Sequence, residues 1–332
     1  MDRLKGYILS KFIKNFFTLF LPFFILMSAI YIVGISRISA KINLSAQDFF
    51  TLYLYTLPEI LSSAIPIAFF GAVINSFASL SSNSEITAIF SIGYSPIRFV
   101  KYLFPVAFLI TIFLLFLTLA IKPITAQKIN IFKAKKIYEE KLKILPNRLS
   151  QKYGNQHIFI EKGDENNFKN ITLFSKEDNF IQIMIAKDGS IVNKKPQAYL
   201  NLNNGLLFKS NQNSYTFVNF KNLKLFNTQD ASIPTFQSIK RYWHGREKPM
   251  QYHIFISISP VILLLALIAL GIYNNRYEKN LSSLYIFIIA IIIYMMALFI
   301  RRNGDIKYII IFTIISSLVS FYIFRNRVLR RY

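Results

Sequence analysis

The chain has 332 residues, 53% of them hydrophobic, with 33 Phe and a mean hydropathy of +0.39. It contains no cysteine, which excludes disulfides, thiol catalysis and thiolate metal sites. A formal charge of +23 would suit nucleic acid in a soluble protein; in a chain this apolar it first reports membrane orientation and contact with anionic lipid, and no nucleic-acid partner is expected.

The first apolar run, about 12–36, follows a basic stretch containing Arg3, Lys5, Lys11 and Lys14. It is too long for the apolar part of a typical signal peptide and no convincing small-residue cleavage site follows, so it reads as an uncleaved first span. Arg37 and Lys41 stand just beyond it. They read either as anchors that snorkel to the interface or as contacts for the phosphates and carboxylates of an amphiphile. A second run, about 49–77, contains Pro58 and Pro66, each lacking a backbone donor, which predicts a tilted, kinked or partly interfacial span. Glu59 is the only acidic residue well inside an apolar run. It reads as a proton or ion site, or as a polar side chain turned toward protein or water.

Between the second and third runs lies "SSNSEITAIFSIGYSPIRF", Ser81 to Phe99. Ser82 and Glu85 have the spacing of an S-x-x-E capping box, which predicts a helix over about 82–93. Ile86, Ile89, Phe90 and Gly93 fall on one helical face, Gly93 suits a left-handed cap, and Pro96 prevents simple continuation. Such a helix lies on a membrane surface or rests in a groove of a cytoplasmic partner. A third span follows at about 99–121.

Residues 122–253 read differently. A lysine-rich helical lead-in carries Ile129, Phe132, Ile137 and Leu142, and from His157 the period changes to two. Five alternating segments separated by turn signals such as Lys187-Asp188-Gly189 and Asn203-Asn204-Gly205 predict an antiparallel sandwich, jelly roll or open barrel-like sheet. This region holds 22 Lys and Arg against 10 Asp and Glu, a net of +12. Three more spans follow at about 254–273, 281–300 and 308–324. The expected organisation is therefore spans one to three in 1–121, a β-rich domain with its lead-in in 122–253, and spans four to six with a basic tail in 254–332. Placing both termini in the cytoplasm puts twelve Lys and Arg on that side against five on the other. Arg301 and Arg302 break the rule locally, as ordinary exceptions or as contacts for an anionic substrate at the outer face.

Chemistry of the chain's own is hard to find. There is no GxxxxGK[ST] phosphate loop and no credible Ser/His/Asp arrangement. His157, His244 and His253 lack the convergence that a zinc site needs. Energy-requiring work must be driven by a partner or an ion gradient.

The loop segment resembles the S-E-[IL]-x-A-[ILM]-x-x-x-G-x-S-x-x-[RK] stretch of the LptF/LptG permease family, through Ser84, Glu85, Ile86, Ala88, Ile89, Gly93, Ser95 and Arg98. The layout of three spans, an external β-rich domain and three spans is similar too. The resemblance, which leans toward the F-like subunit, implies a helical inner-membrane protein with six spans and a periplasmic β-jelly-roll-like domain. It implies the non-catalytic half of an ABC transporter that extracts lipopolysaccharide and passes it to a periplasmic bridge. Implied partners are an LptB-like ATPase dimer that uses the ATP, a second LptF/LptG-family permease, an LptC-like single-span protein and an LptA-like bridge. By the same resemblance the helix around Glu85–Ile92, with Ile89 and Phe90, couples to the ATPase. The first and fifth spans face the partner permease and lipid, with Arg37 and Lys41 near the phosphorylated head; no cofactor or metal belongs to this chain. Two other readings stand beside it, a non-transporting assembly or adaptor protein and a gradient-driven transporter using Glu59.

Overall fold

The structure is a computed structural model and describes every residue except 1, 40–43, 142–150, 154–155, 164–166, 178–179, 195–196, 212–213, 227–233, 276–277 and 331–332. The chain divides into two compact units, one of residues 1–129 with 236–332 and one of residues 130–235.

The first unit is helical. In chain order it contains α1 (Asp2–Ser39), α2 (Ala46–Ser82), the short α3 (Glu85–Ser91) and α4 (Ile97–Phe116). A π-helical turn, Leu117–Ile121, joins α4 to α5 (Lys122–Lys141). After the β unit come α6 (Ile239–Trp243), α7 (Glu247–Gly271), α8 (Ser282–Asn303) and α9 (Ile306–Phe324). Among the described residues, six helices are long and apolar enough to cross a membrane, as the sequence predicts.

Burial is unequal among them. α2 and α7 are mostly buried and form the centre, with Phe69, Phe70, Ile74 and Phe77 packed in one cluster with Phe255, Leu264 and Leu267. α1, α8 and α9 expose most of their apolar surface, which is stable only against lipid or another apolar protein. Lipid is as apolar as leucine, so small residues and hydrogen bonds must hold the centre together. A Cβ on Gly271 of α7 would stand 2.6 Å from the Ile74 carbonyl oxygen of α2 and 2.6 Å from the Phe77 Cβ. Just there the Ser81 hydroxyl donates to the Gly271 carbonyl and accepts from the Tyr273 amide, each at 3.2 Å, closing the end of α7 onto α2. Asn15 of α1 donates to the Ser76 hydroxyl at 2.9 Å.

The second span, expected to be tilted, kinked or partly interfacial, runs without a break through both prolines. α2 is one 37-residue helix with Pro58 and Pro66 inside it. Ser62 and Ser63 hydroxyls donate to the Glu59 carbonyl, and the Tyr294 hydroxyl of α8 donates to the Ser63 carbonyl, so side-chain hydroxyls gather on the backbone between the two prolines. In α7 the carbonyl freed by Pro260, that of Ile256, accepts from the Ser259 hydroxyl at 2.7 Å.

The second unit is a six-stranded antiparallel meander, β1 (Gln151–Tyr153), β2 (Gln156–Gly163), β3 (Asn167–Glu177), β4 (Phe180–Lys194), β5 (Gln197–Asn211) and β6 (Ser214–Phe226), in sequential order. The inserted β domain is thus present as one long-stranded sheet. The expected turns at Lys187-Asp188-Gly189 and Asn203-Asn204-Gly205 do not form. Both triplets lie inside continuous strands, where their residues pair as Asp188 with Asn203 and Gly189 with Leu202.

These triplets belong to a crease that crosses the sheet. Five strands carry a polar pair at the same level: Glu161-Lys162, Lys169-Asn170, Lys187-Asp188, Asn203-Asn204 and Lys221-Asn222. Asn170 and Asn204 have φ of 53° and 51°, the left-handed region that asparagine tolerates best after glycine. Each crease reverses the in–out alternation of its strand. Core positions therefore stand three apart across it, as in Phe168 and Ile171 or Phe220 and Leu223. Ile158, Ile160, Ile171, Leu173 and Met184 on one side share a single apolar interior with Phe168, Leu200 and Leu202 on the other. All of them are at most 1% exposed, so the sheet closes over its own apolar face.

Candidate functional site

The loop after α2 builds a joint between distant parts of the helical unit. α3 starts at Glu85 and ends at Ser91, shorter than the expected 82–93. The capping box does not form: Ser82 is the last residue of α2 and donates to Ser79, while Ser84, at φ 58°, precedes α3 without a side-chain cap. Glu85 is thereby released to bond elsewhere. Its carboxylate accepts from the Tyr7 hydroxyl at 2.8 Å, from Lys11 Nζ at 3.1 Å and from Asn83 Nδ2 at 3.1 Å. Burial alone would raise its pKa, but hydrogen bonds from Asn83, Tyr7 and Lys11, with the Lys11 charge, outweigh it and hold Glu85 below the usual carboxylate range.

Ile86 is buried in the helical core, with Ile89 and Phe90 packed against it. Phe90, Phe77 and Tyr94 gather around the buried Phe99 ring at centroid distances of 5.8, 5.4 and 6.0 Å. Arg98 lies over the Tyr94 ring at 4.7 Å. Gly93 takes the expected left-handed conformation, φ 80°. The other side of α3 faces out: Thr87, Ala88 and Ser91 are exposed, and Ile92 just beyond is 85% exposed. The sequence placed Ile92 at the end of the coupling helix without marking its exposure, and it took Lys11 only as a flanking charge and did not single out Tyr7; the i, i+4 spacing of Tyr7 and Lys11 on α1 was the available signal.

An apolar groove of about 470 Å³ runs between the first and fifth spans. Leu19 and Phe23 of α1 form one wall, Ile286, Phe287 and Ile291 of α8 the other, and Ile67 and Asn75 of α2 the floor. Gly71 makes that floor possible, because a Cβ there would meet Leu19 and Ile286. The volume falls within the ordinary range of ligand pockets, about 300–1,000 Å³.

Glu59 is not a lone acid. It forms an ion pair with Lys122, and Lys122 Nζ and His253 Nε2 stand 2.6 Å apart, within hydrogen-bond distance. Tyr31 hydrogen-bonds Glu59, and Arg301 lies 5.8 Å from the Tyr252 ring centre. Spans one, two, three, four and five thus meet at one polar cluster. Arg301 joins it, while Arg302 is exposed at the end of α8 and its carbonyl accepts from Lys248. Arg37 is exposed in the last turn of α1, and Lys41 lies outside the described residues. Among the described residues no group of three or more His, Cys, Asp and Glu side chains could hold a metal ion.

Six apolar helices, a groove between two weakly buried spans and an inserted all-β unit define a multi-pass membrane protein with an inserted β domain. The chain matches the family model described as "Lipopolysaccharide export system permease LptF/LptG" over residues 6–243, and it belongs to that family. The matched segment takes in the first three spans, the loop helix and the β unit, and the model describes LptF and LptG together. No curated protein sequence matched the chain. Membership makes it a lipopolysaccharide export permease, not an enzyme, and places it in the lipopolysaccharide transport system.

Proposed function

We propose that this chain is the F-like permease subunit of an ATP-driven exporter that extracts lipopolysaccharide from the bacterial inner membrane. Both termini are cytoplasmic and the β unit is periplasmic, in keeping with the excess of Lys and Arg on the side of the termini. A separate LptB-like ATPase dimer consumes the ATP, and this chain binds no cofactor. Its partners are a second LptF/LptG-family permease, an LptC-like single-span protein and an LptA-like bridge that receives the lipid.

The observation that carries this reading is the Tyr7–Lys11–Glu85 joint. It ties the loop helix to α1, and α1 is a wall of the apolar groove. A push on the outward surface of Thr87, Ala88, Ser91 and Ile92 therefore reaches the groove wall directly, while Ile86, Ile89 and Phe90 keep α3 seated on the helical core. A groove of this size takes some of the acyl chains, and the second permease supplies the remaining surface. Arg37, Lys41, Arg301 and Arg302 contact the phosphorylated head group as charge-assisted donors. The ion pair at Glu59 balances its charge within the membrane, which favours a structural role there over a proton pathway.

Gentle purification from native membranes, followed by mass spectrometry of proteins and lipids, tests the assembly. The expected result is an ATPase, a second permease and lipopolysaccharide in one complex. Ile92→Asp is expected to lose the ATPase while the permease pair stays folded. Normal ATPase association and lipid extraction by Ile92→Asp would overturn the coupling role of α3.

A further inference from the structure

The third span carries a break whose repair comes from far along the chain. Pro123 has no backbone N–H, so the Leu119 carbonyl four residues before it has no helical donor, and the proline ring crowds that carbonyl. The chain answers with the π-helical turn Leu117–Ile121, after which the Lys122 amide donates to the Leu117 carbonyl. The Leu119 carbonyl accepts instead from the indole Nε1 of Trp243, the only tryptophan in the sequence, at 3.0 Å. Such π-helical turns inside longer helices often mark functional sites. Side chains around the turn tie it to its neighbours. Thr118, 2% exposed, donates to the Leu114 carbonyl at 2.8 Å and stands 3.3 Å from the Ser257 hydroxyl of α7. The Lys122 ammonium pairs with Glu59 of α2 and lies within hydrogen-bond distance of His253 of α7. Further on in α5, the Gln127 side chain accepts from the Gln237 amide at 2.6 Å, beside α6.

α2 and α7 are also the two helices that the Ser81 hydroxyl closes onto each other beside α3. Along their helices Glu59 and His253 lie about 33 Å and about 27 Å from that closure, at 1.5 Å per residue. Lys122 therefore bridges the same pair of helices a second time, far from the loop that holds α3. We propose that Pro123 is the pivot of a two-state joint in the third span. Lys122 latches the joint to α2 and α7, the Trp243 indole clasps the Leu119 carbonyl, and a shift of α2 against α7 during the ATP cycle opens both. The inference rests on the export reading and adds a moving part to it. An unbroken helix resists opening through its whole backbone ladder, whereas among the described residues this turn is tied to its neighbours by one indole, one hydroxyl pair and one ammonium. An ammonium shared between two helices keeps both partners only while those helices hold their relative position. Leu119 and Lys122 are three residues apart on one helical turn, so latch and clasp open together.

The chain has no cysteine, so introduced thiols report the joint without background from this chain. Thr118→Cys, or Ser257→Cys from the α7 side, is placed in the full complex in proteoliposomes containing lipopolysaccharide, and its labelling by a small thiol reagent is timed. Both positions are at most 2% exposed, so labelling reads the open state. The expected result is faster labelling during ATP turnover than at rest. Trp243→Phe keeps a ring but loses the N–H, and should raise the resting rate about fivefold, the usual contribution of one hydrogen bond. Lys122→Met should raise it as well, and Lys122→Arg should restore it. With both cysteines present, a disulfide formed by mild oxidation should abolish lipid release, and reductant should restore it. Labelling that ignores ATP, Trp243→Phe and Lys122→Met alike overturns the inference, as does undiminished lipid release by the oxidised pair. Absence of lipid release from the wild-type complex, with ATP-dependent labelling retained, overturns the export reading instead.

Discussion

Both units place chain breakers inside continuous elements, and they tolerate them by opposite means. In α2 and α7, Pro58, Pro66 and Pro260 interrupt the helical ladder, and serine and tyrosine hydroxyls keep neighbouring carbonyls paired. Nothing apolar drives those helices together in lipid, so polar groups beside the breakers serve as attachments, as the Tyr294 hydroxyl of α8 does on the Ser63 carbonyl of α2. In the β unit, Asn170 and Asn204 interrupt the strand alternation instead, and the reward is apolar: both sides of the crease bury one interior. At Pro260 the break is repaired by a hydroxyl on the freed carbonyl, whereas the breaks in the sheet are offset by burial.

The strongest way to break this contrast is to remove the close approach in the membrane unit. Gly271→Val places a branched side chain where a Cβ already meets the Ile74 carbonyl and Phe77 at 2.6 Å. Backbone cannot swing aside as a side chain does, so the cost should reach or exceed the upper end of the usual overpacking range, about 3 kcal/mol. Thermal unfolding in detergent should show a large loss of stability; an unchanged midpoint would mean that α2 and α7 do not form the centre.

The crease makes the matching prediction for the sheet. Asn204→Val forces a β-branched residue into the left-handed region and should destabilise the β unit by about 1–2 kcal/mol, while Asn204→Gly should cost little. Denaturation followed by the chemical shifts of Leu202 and Phe220 would separate the two. Equal effects of Val and Gly would show that the amide, and not the backbone conformation, matters at this position.

Spans and strands were legible because their signals are local. Six apolar runs and five alternating segments survive in any packing, and a loop motif with ordered spacing pointed to the family. Breakers were misread because their meaning is not local. Pro66 sits inside a continuous helix, and the Tyr294 hydroxyl that bonds the backbone beside it, at the Ser63 carbonyl, comes from 231 residues away. Lys187-Asp188-Gly189 predicts a turn until four neighbouring strands bend at the same level. In the candidate site the inward face of α3 was readable from the spacing of Ile86, Ile89 and Phe90. The partners of Glu85 were not, since Tyr7 and Lys11 lie 78 and 74 residues away.

A smaller effect sharpens the hydrogen-bond half of the comparison. Ser81→Ala removes one hydroxyl that both donates to Gly271 and accepts from Tyr273. The expected loss is about 1 kcal/mol, read from thermal unfolding, with an added local opening at the end of α7 in hydrogen exchange. A null result in both measurements would assign the closure of α7 to packing at Gly271 alone.

The smallest stability effect carries the most functional information. Lys11 and Glu85 are both partly exposed, so their pairing contributes at most about 1 kcal/mol, and Glu85→Gln should hardly move the melting temperature. The carboxylate is held below its ordinary value of 4.5, so its contribution is fully present above that pH. It is lost as the pH falls below 4.5 through the depressed folded value. Near neutral pH the joint between α3 and α1 is therefore charged and closed. Glu85→Gln reproduces the acid form without acid. It should leave the proposed ATPase bound at the proposed contact of Thr87, Ala88 and Ile92 yet weaken the link to α1, so that ATP hydrolysis continues with little lipid released. Measuring both rates in one reconstituted sample decides the matter: an equal fall in both would place Glu85 in ATPase binding, and unchanged extraction would remove it from the force path.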